Sequence, residues 1–371
     1  MTEGSLWDRQ LMSIITPAHK VSALAKHLAA LLPRPVKVME VCGTHTVNIF
    51  RFGLRSLFPE TLELVSGPGC PVCVTPVEEI DFLVAAALSQ GARLATFGDL
   101  LRVPGSWGSL KEARAQGAKI KIIYSPMEAL SLAENFPQET VLLAAVGFET
   151  TAPAVAATVL EAKRRGVSNL VLATSHRLVP PAIRALLASG DLNLDGFILP
   201  GHVSAVIGRG PYEFIARDFG LPGVITGFEA TDIMEGLCLL AHQIREGRAE
   251  IVIQYSRAVP PEGNPAAQAL MKEVFSTGDA SFRGLGEIPG GGLFLRQTYE
   301  EFDARGRLDL DLPPVRETKG CLCGQILSGR KRPLDCPLFA RGCRPDNPQG
   351  PCMVSSEGTC AAWFQFHENS S

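Results

Sequence analysis

What most constrains this chain is a local pattern that recurs along most of its length. A short apolar run ends in a turn rich in Gly, Pro and polar residues, and a helix-length stretch follows. Such runs fall at 36–41, 62–65, 93–97 and 119–124, and the pattern restarts at 141–146, 170–173, 197–199 and 224–226. Apolar spacing and flanking prolines predict helices over 18–32 and 76–89, and a long one closing near 245. Strands that alternate with helices specify parallel sheets with helices on both faces. Two passes of the pattern predict an α/β chain with two Rossmann-like domains, at 18–136 and 137–316, behind an irregular arm at 1–17. The chain's 371 residues suit two or three domains of ordinary size.

Composition narrows the class. Apolar residues make up 46% and charged residues 20%, enough to bury real cores. A net charge of −3 argues against a protein that grips nucleic acid by neutralising many phosphates. No apolar run reaches the ~18 residues of a membrane span. Residues 1–7 carry Glu3 and no basic segment leading into an apolar core, so no secretory signal is expected. Gly290-Gly291-Gly292 lacks the Lys-Ser/Thr of a phosphate-binding loop, and ATP binding is not expected.

Chemistry-bearing residues crowd the predicted strand ends. Cys42-Gly43-Thr44-His45-Thr46 follows the first strand and Gly67-Pro68-Gly69-Cys70-Pro71-Val72-Cys73 the second. Later ends carry Gly147-Phe148-Glu149-Thr150-Thr151-Ala152-Pro153, Ser175-His176-Arg177 and Pro200-Gly201-His202. Ligands of open α/β sheets bind beyond the carboxyl ends of the strands. Any one of these stretches reads equally as an ordinary turn, but their density predicts a cleft. Glu149, His176 and His202 are candidates to line it, each also readable as a turn or packing residue.

The ten cysteines are unevenly spread, six of them in the last 51 residues. A chain of this length needs no disulfide staples, so clustered cysteines favour metal or redox chemistry. The tail, 317–371, is dense in Cys, Pro and Gly and is expected to be a small domain held by its thiols. Its spacing is Cys321-x14-Cys336-x6-Cys343-x16-Cys360, with Cys323 and Cys352 as extras. Zinc sites favour short two- to four-residue knuckles, which are absent here. Wide gaps suit a cluster clasped by separate loops, so iron–sulfur is favoured over zinc, with disulfides third.

Cys70-x-x-Cys73 at a helix start reads as a redox dithiol, or else as half a zinc site or two buried thiols. Cys42, with His45 three residues on, reads either as a metal ligand or nucleophile whose thiol the imidazole orients or acidifies, or beside which it is a second ligand, or as a small buried hydrophobe. Cys238, in an apolar helix, reads as core.

Together these stretches resemble the HypD family of hydrogenase maturation factors. The resemblance rests on Cys42 to Thr46, Gly67 to Cys73, Gly147 to Pro153, and the tail through Gly350-Pro351-Cys352-Met353-Val354-Ser355-Ser356-Glu357-Gly358. The family's x14, x6, x16 cysteine spacing fits without adjustment. The resemblance implies a cytoplasmic scaffold, rather than a conventional turnover enzyme, on which the iron–dicyano–carbonyl group of [NiFe] hydrogenase is built. It implies HypC as the small partner and HypE as donor of cyanide from a thiocyanate. It implies Cys42 as an iron ligand, with His45 and Thr46 beside it, and a [4Fe–4S] cluster on Cys321, Cys336, Cys343 and Cys360. Cys70 and Cys73 would share electron supply with that cluster. Alone, the chain is expected to be a monomer. The competing classes are a cluster-bearing thiol–disulfide oxidoreductase and a zinc-stapled binding module.

Overall fold

The computed structural model describes residues 17–312 and 314–367, so the expected arm at 1–17 lies almost wholly outside the described residues. Eleven strands form among these residues: β1 (Val36–Glu40), β2 (Leu62–Ser66), β3 (Ala92–Thr96), β4 (Ile120–Ile122), β5 (Thr140–Gly147), β6 (Leu170–Arg177), β7 (Gly196–Pro200), β8 (Gly223–Thr226), β9 (Ile251–Ile253), β10 (Phe275–Phe282) and β11 (Gly286–Leu295). They make two sheets, β2-β1-β7-β8-β9 and β10-β11-β6-β5-β3-β4. The first is parallel throughout. The second is parallel from β6 to β4 and antiparallel at β11 and β10.

The α/β class and the eight expected strands are observed, but the sheets are not the two halves of the chain. The first sheet takes β1 and β2 from early in the sequence and β7 to β9 from late; the second takes β3 to β6 and then β10 and β11. A boundary at 136/137 therefore falls inside the second sheet. Periodicity identifies strands but not their partners, and β1 pairs with β7 across more than 150 residues, Val38 opposite Gly196. The β10–β11 hairpin escaped notice for a local reason. Glycines at 278, 286, 290, 291 and 292 break the apolar alternation, and Gly292 is needed because a Cβ there would stand 2.7 Å from that of Ala280.

Helices cover the sheets where local signals place them. Pro17–Leu31 and Val77–Leu88 match expectation, and Ala230–Glu246 buries Cys238 among apolar neighbours. Ser125 and Glu128 form a reciprocal cap at the start of Pro126–Asn135. Among the described residues no helix is long and apolar enough to cross a membrane.

This topology positions the site. In the first sheet β1 leads outward to β2 on one side, while β7 leads to β8 on the other, so a crevice opens beyond their carboxyl ends. The corresponding point of the second sheet lies between β3 and β5. The C-terminal segment spans both. Glu357 meets the loop after β1 at Thr44, and Ser355 and Ser356 donate to Asp99 after β3. The tail is not a domain with its own core. Cys323, Cys343, Cys352 and Cys360 share one buried cluster with Met39 of β1, Cys70, Cys73 and Phe197 of β7. So short a segment gains more by burying its apolar side into existing sheets than by closing on itself.

Candidate functional site

Cys42 stands at the crevice of the first sheet. Val41 N–H donates to Ile198 O at 3.1 Å, pinning the end of β1 to β7. Gly43 N–H then donates to Gly69 O at 3.0 Å, which stacks the Cys42 loop on the loop after β2. Two glycines make this approach possible. A Cβ on Gly69 would strike the Cys42 backbone, and one on Gly43 would strike the backbone of Glu357. The C-terminal segment thus closes over Cys42, with Thr44 Oγ1 donating to Glu357 Oε1 at 2.6 Å.

Two carboxylates flank the thiol. Glu40 is buried; its Oε1 accepts from the Thr46 hydroxyl at 2.5 Å and its Oε2 from Cys42 N–H at 3.2 Å. Burial lifts Glu40 to about 7 against those hydrogen bonds. The Cys42 thiol is pushed up to about 12, first by burial and then by Glu357, with Glu40 adding; backbone N–H groups of His45 and Thr44 oppose the shift. The pocket therefore disfavours a lone thiolate. A bound cation reverses that balance, since it favours the thiolate and both carboxylates together.

His45 does not acidify the thiol through its ring. The imidazole is fully buried, its Nε2 is 2.9 Å from both Gly227 O and the Thr226 hydroxyl, and desolvation lowers it to about 4, so it stays neutral. It stacks on Phe228, which also stacks on His202 with ring centroids 3.9 Å apart. His202, exposed at the rim, has its pKa lowered by partial burial and held up by Glu357. Strand ends β1, β2, β7 and β8 thus bring Cys42, His45, Thr46, His202 and the Cys70 loop together.

Cys70 and Cys73 are joined as a disulfide, with Cα atoms 5.2 Å apart, and both are buried. They sit on a single turn, Pro71–Val74, separate from the long helix that begins at Val77. Pro76 explains the break, because it bars a helical conformation at Thr75. The helix Pro351–Val354 packs against this turn.

All six C-terminal cysteines line one small enclosed pocket whose other walls include Ile326, Leu338, Phe339 and Met353. Cys323 Sγ and Cys352 Sγ are 2.7 Å apart, and Gly350 allows Cys321 to approach, since a Cβ there would stand 2.7 Å from its sulfur. Burial pushes Cys321 up to about 12 and raises Cys343. Converging thiols fit a soft, thiolate-bound group in donor type, and Arg283 and Glu317 act electrostatically on Cys323. Among the described residues, however, no three His, Cys, Asp or Glu side chains stand close enough together to hold a metal ion. The convergence is that of a pocket lining.

Glu149 and His176 belong elsewhere. Glu149 lines a different cavity, over the second sheet, and His176 lies in β6 beside Phe275. Tyr212, fully buried, is influenced by both Glu149 and Cys42 and so stands between the two regions. Sequence reasoning missed Glu40 and passed over Glu357. The first had a signal, a lone acid in the apolar run 36–41; the second lay in the quoted stretch 350–358, but only the fold brings it to Cys42.

Comparisons with known proteins match most of the chain. The family described as HypD, hydrogenase formation hypA family, matches residues 18–367. A hydrogenase maturation factor HypD of Cupriavidus necator is 46% identical over 88% of this chain and 89% of its own length. Those of Azotobacter vinelandii and Escherichia coli are 45% and 44% identical, over 93% and 94% of this chain and 94% and 93% of theirs.

Proposed function

The chain belongs to the HypD family, and from that membership we propose that it is a hydrogenase maturation factor on which an iron centre carrying cyanide and carbon monoxide is assembled before transfer to a [NiFe] hydrogenase. In this reading it works in the cytoplasm with a small HypC-type chaperone and a HypE-type cyanide donor, and the iron is its cargo.

The observation that carries the reading is the setting of Cys42. A thiol at the switch point of a parallel sheet, pushed up first by burial and then by two carboxylates, is poor as a free nucleophile and well suited to a cation. Iron bearing cyanide and carbon monoxide is soft and takes thiolate ligands. Glu40 and Glu357 offset its charge, and neutral His45 fixes the helix behind Cys42 to β8. Gly43 and Gly69 let the Glu357 segment and the Cys70 loop pack directly on Cys42, and a partner's ligand would reach the same metal past the exposed His202 at the rim.

Cyanide delivered as a thiocyanate needs an electron pair to leave its sulfur. The Cys70–Cys73 dithiol supplies one. As the S–S bond forms it releases two electrons and two protons, the sulfur–carbon bond of the carrier breaks, and a carrier thiol and cyanide result. Cys321, Cys336, Cys343 and Cys360 would hold a [4Fe–4S] cluster, which supplies single electrons when bound. Their pocket shares its buried cluster with Cys70 and Cys73, which supports a short path between them.

Two measurements on one anaerobic preparation test the reading. A brown, iron- and sulfide-containing protein that restores hydrogenase activity to a strain lacking its own HypD supports it. A colourless zinc protein, or a coloured one that fails to restore activity, contradicts it.

A further inference from the structure

A cavity of about 510 Å3 opens at the carboxyl ends of β5 and β6, away from Cys42 and the cysteine pocket, and the function above makes no use of it. Its size is that of a small-molecule site. Its walls are Pro180, Ile207, Met271, Phe275 and Leu293, and Glu149 is the one carboxyl among the described residues that line it. Thr277 pairs with Leu293, and Leu293 with His176, so the three share one face of the sheet beneath the cavity.

Glu149 is unusual for a structural residue. Only 2% of it is exposed, and its Oε1 accepts from Val179 N–H at 3.0 Å. Its Oε2 is buried with no hydrogen-bond partner among the described residues. Leaving such an atom unsatisfied costs on the order of 1–3 kcal/mol, and a bound molecule is the direct way to recover it. The same apolar walls make a charged guest costly.

We propose that this cavity binds a small uncharged molecule with an apolar body and a carbonyl-type acceptor, which Glu149 engages through its free oxygen. Amides and ketones are the class. The chemistry follows from the state of the floor. Burial holds the Glu149 carboxyl up at about 7, so below that pH it carries a proton to donate. Two buried groups on neighbouring elements stay neutral over the working range. Burial lowers His176 on β6 to about 3 and raises the Tyr212 phenol well above its ordinary value. The backbone N–H of Val179 comes from the helix Val179–Ala188, and the Lys272 ammonium, from Pro265–Val274, stands at the exposed mouth.

The test is a calorimetric and methyl-NMR titration of the full chain with benzamide, with benzoate and toluene as comparators. Benzamide should shift the methyls of Ile207, Met271 and Leu293, and both comparators should bind at least about tenfold more weakly. Its affinity should fall about tenfold between about pH 6 and about pH 8, as Glu149 loses its proton. Glu149→Gln offers an N–H donor at every pH, so it should keep the low-pH affinity within about threefold and lose the pH dependence. Glu149→Leu should weaken binding about tenfold, and the near-isosteric Gln variant keeps the test decisive if the Leu variant does not fold. Unshifted methyls, benzoate binding as tightly as benzamide, or a Gln variant that retains the full pH dependence would overturn the proposal.

Discussion

The loop at Cys42 and the C-terminal cysteine pocket both present buried thiols, yet they are built in opposite ways. Cys42 is one sulfur whose surroundings come from four strand ends and from Glu357, more than 300 residues away. Its neighbours are acidic and aromatic. The C-terminal pocket draws six sulfurs from 40 consecutive residues, and its other walls are apolar. An acidic setting around a single buried thiol suits one bound cation. A sulfur-rich one suits a group held by several thiolates. The difference teaches that the charge around each thiol says as much about function as the number of thiols.

Several substitutions probe that contrast, and the largest effect is expected in the tail. Cys343→Ser should remove the iron–sulfide absorbance and lower the unfolding temperature, because a bound cluster would also brace a segment that has no core of its own. Full iron and sulfide in this variant would remove Cys343 from the ligand set. Gly43→Ala comes next. Its Cβ strikes the Glu357 backbone, so about 2–3 kcal/mol of stability should be lost in urea unfolding, together with the closure over Cys42. Parental stability would show that the tail does not seat on this loop.

An effect of similar size concerns Glu40. Its folded pKa of about 7 exceeds the ordinary 4.5, so the folded state holds a proton that the unfolded state releases between those values. Stability from this group is complete below about 4.5 and is lost as pH rises through 7. Glu40→Gln lacks this dependence, and should gain on the parent by about 2–3 kcal/mol across that interval in unfolding curves. A constant difference between the two proteins would mean that Glu40 is ionised throughout. The smallest effect is predicted for Cys323→Ser, which should leave the iron–sulfide absorbance within about a tenth of the parent, because Cys321, Cys336, Cys343 and Cys360 would remain as the four ligands. Loss of that absorbance would place Cys323 among the ligands.

The two regions also differ in how legible they were. The tail announced itself, because its cysteines are close in sequence and their spacing is a local property. Cys42, His45 and the Cys70 loop were legible as strand ends, since ligand sites of open sheets lie there. What surrounds them was not. Glu357, Thr226 and Phe228 reach Cys42 and His45 only through pairing of β1 with β7 and β7 with β8, and periodicity carries no information on which strands pair. The interleaving of the sheets misled the domain boundary for the same reason. The assignment of Glu149 and His176 to one cleft with His202 failed because β7, expected beside β5 and β6, pairs with β1 in the other sheet.

The central claim is that Cys42 is the cargo ligand and takes no part in holding the resident cluster. Cys42→Ser nearly preserves volume but offers a much poorer soft-metal ligand. The decisive measurement is the infrared spectrum of this variant purified anaerobically in complex with its HypC-type partner, recorded beside its visible absorbance. The account predicts parental iron–sulfide absorbance with no bands from metal-bound cyanide or carbon monoxide. Those bands at parental intensity, or their loss together with the absorbance, would contradict it.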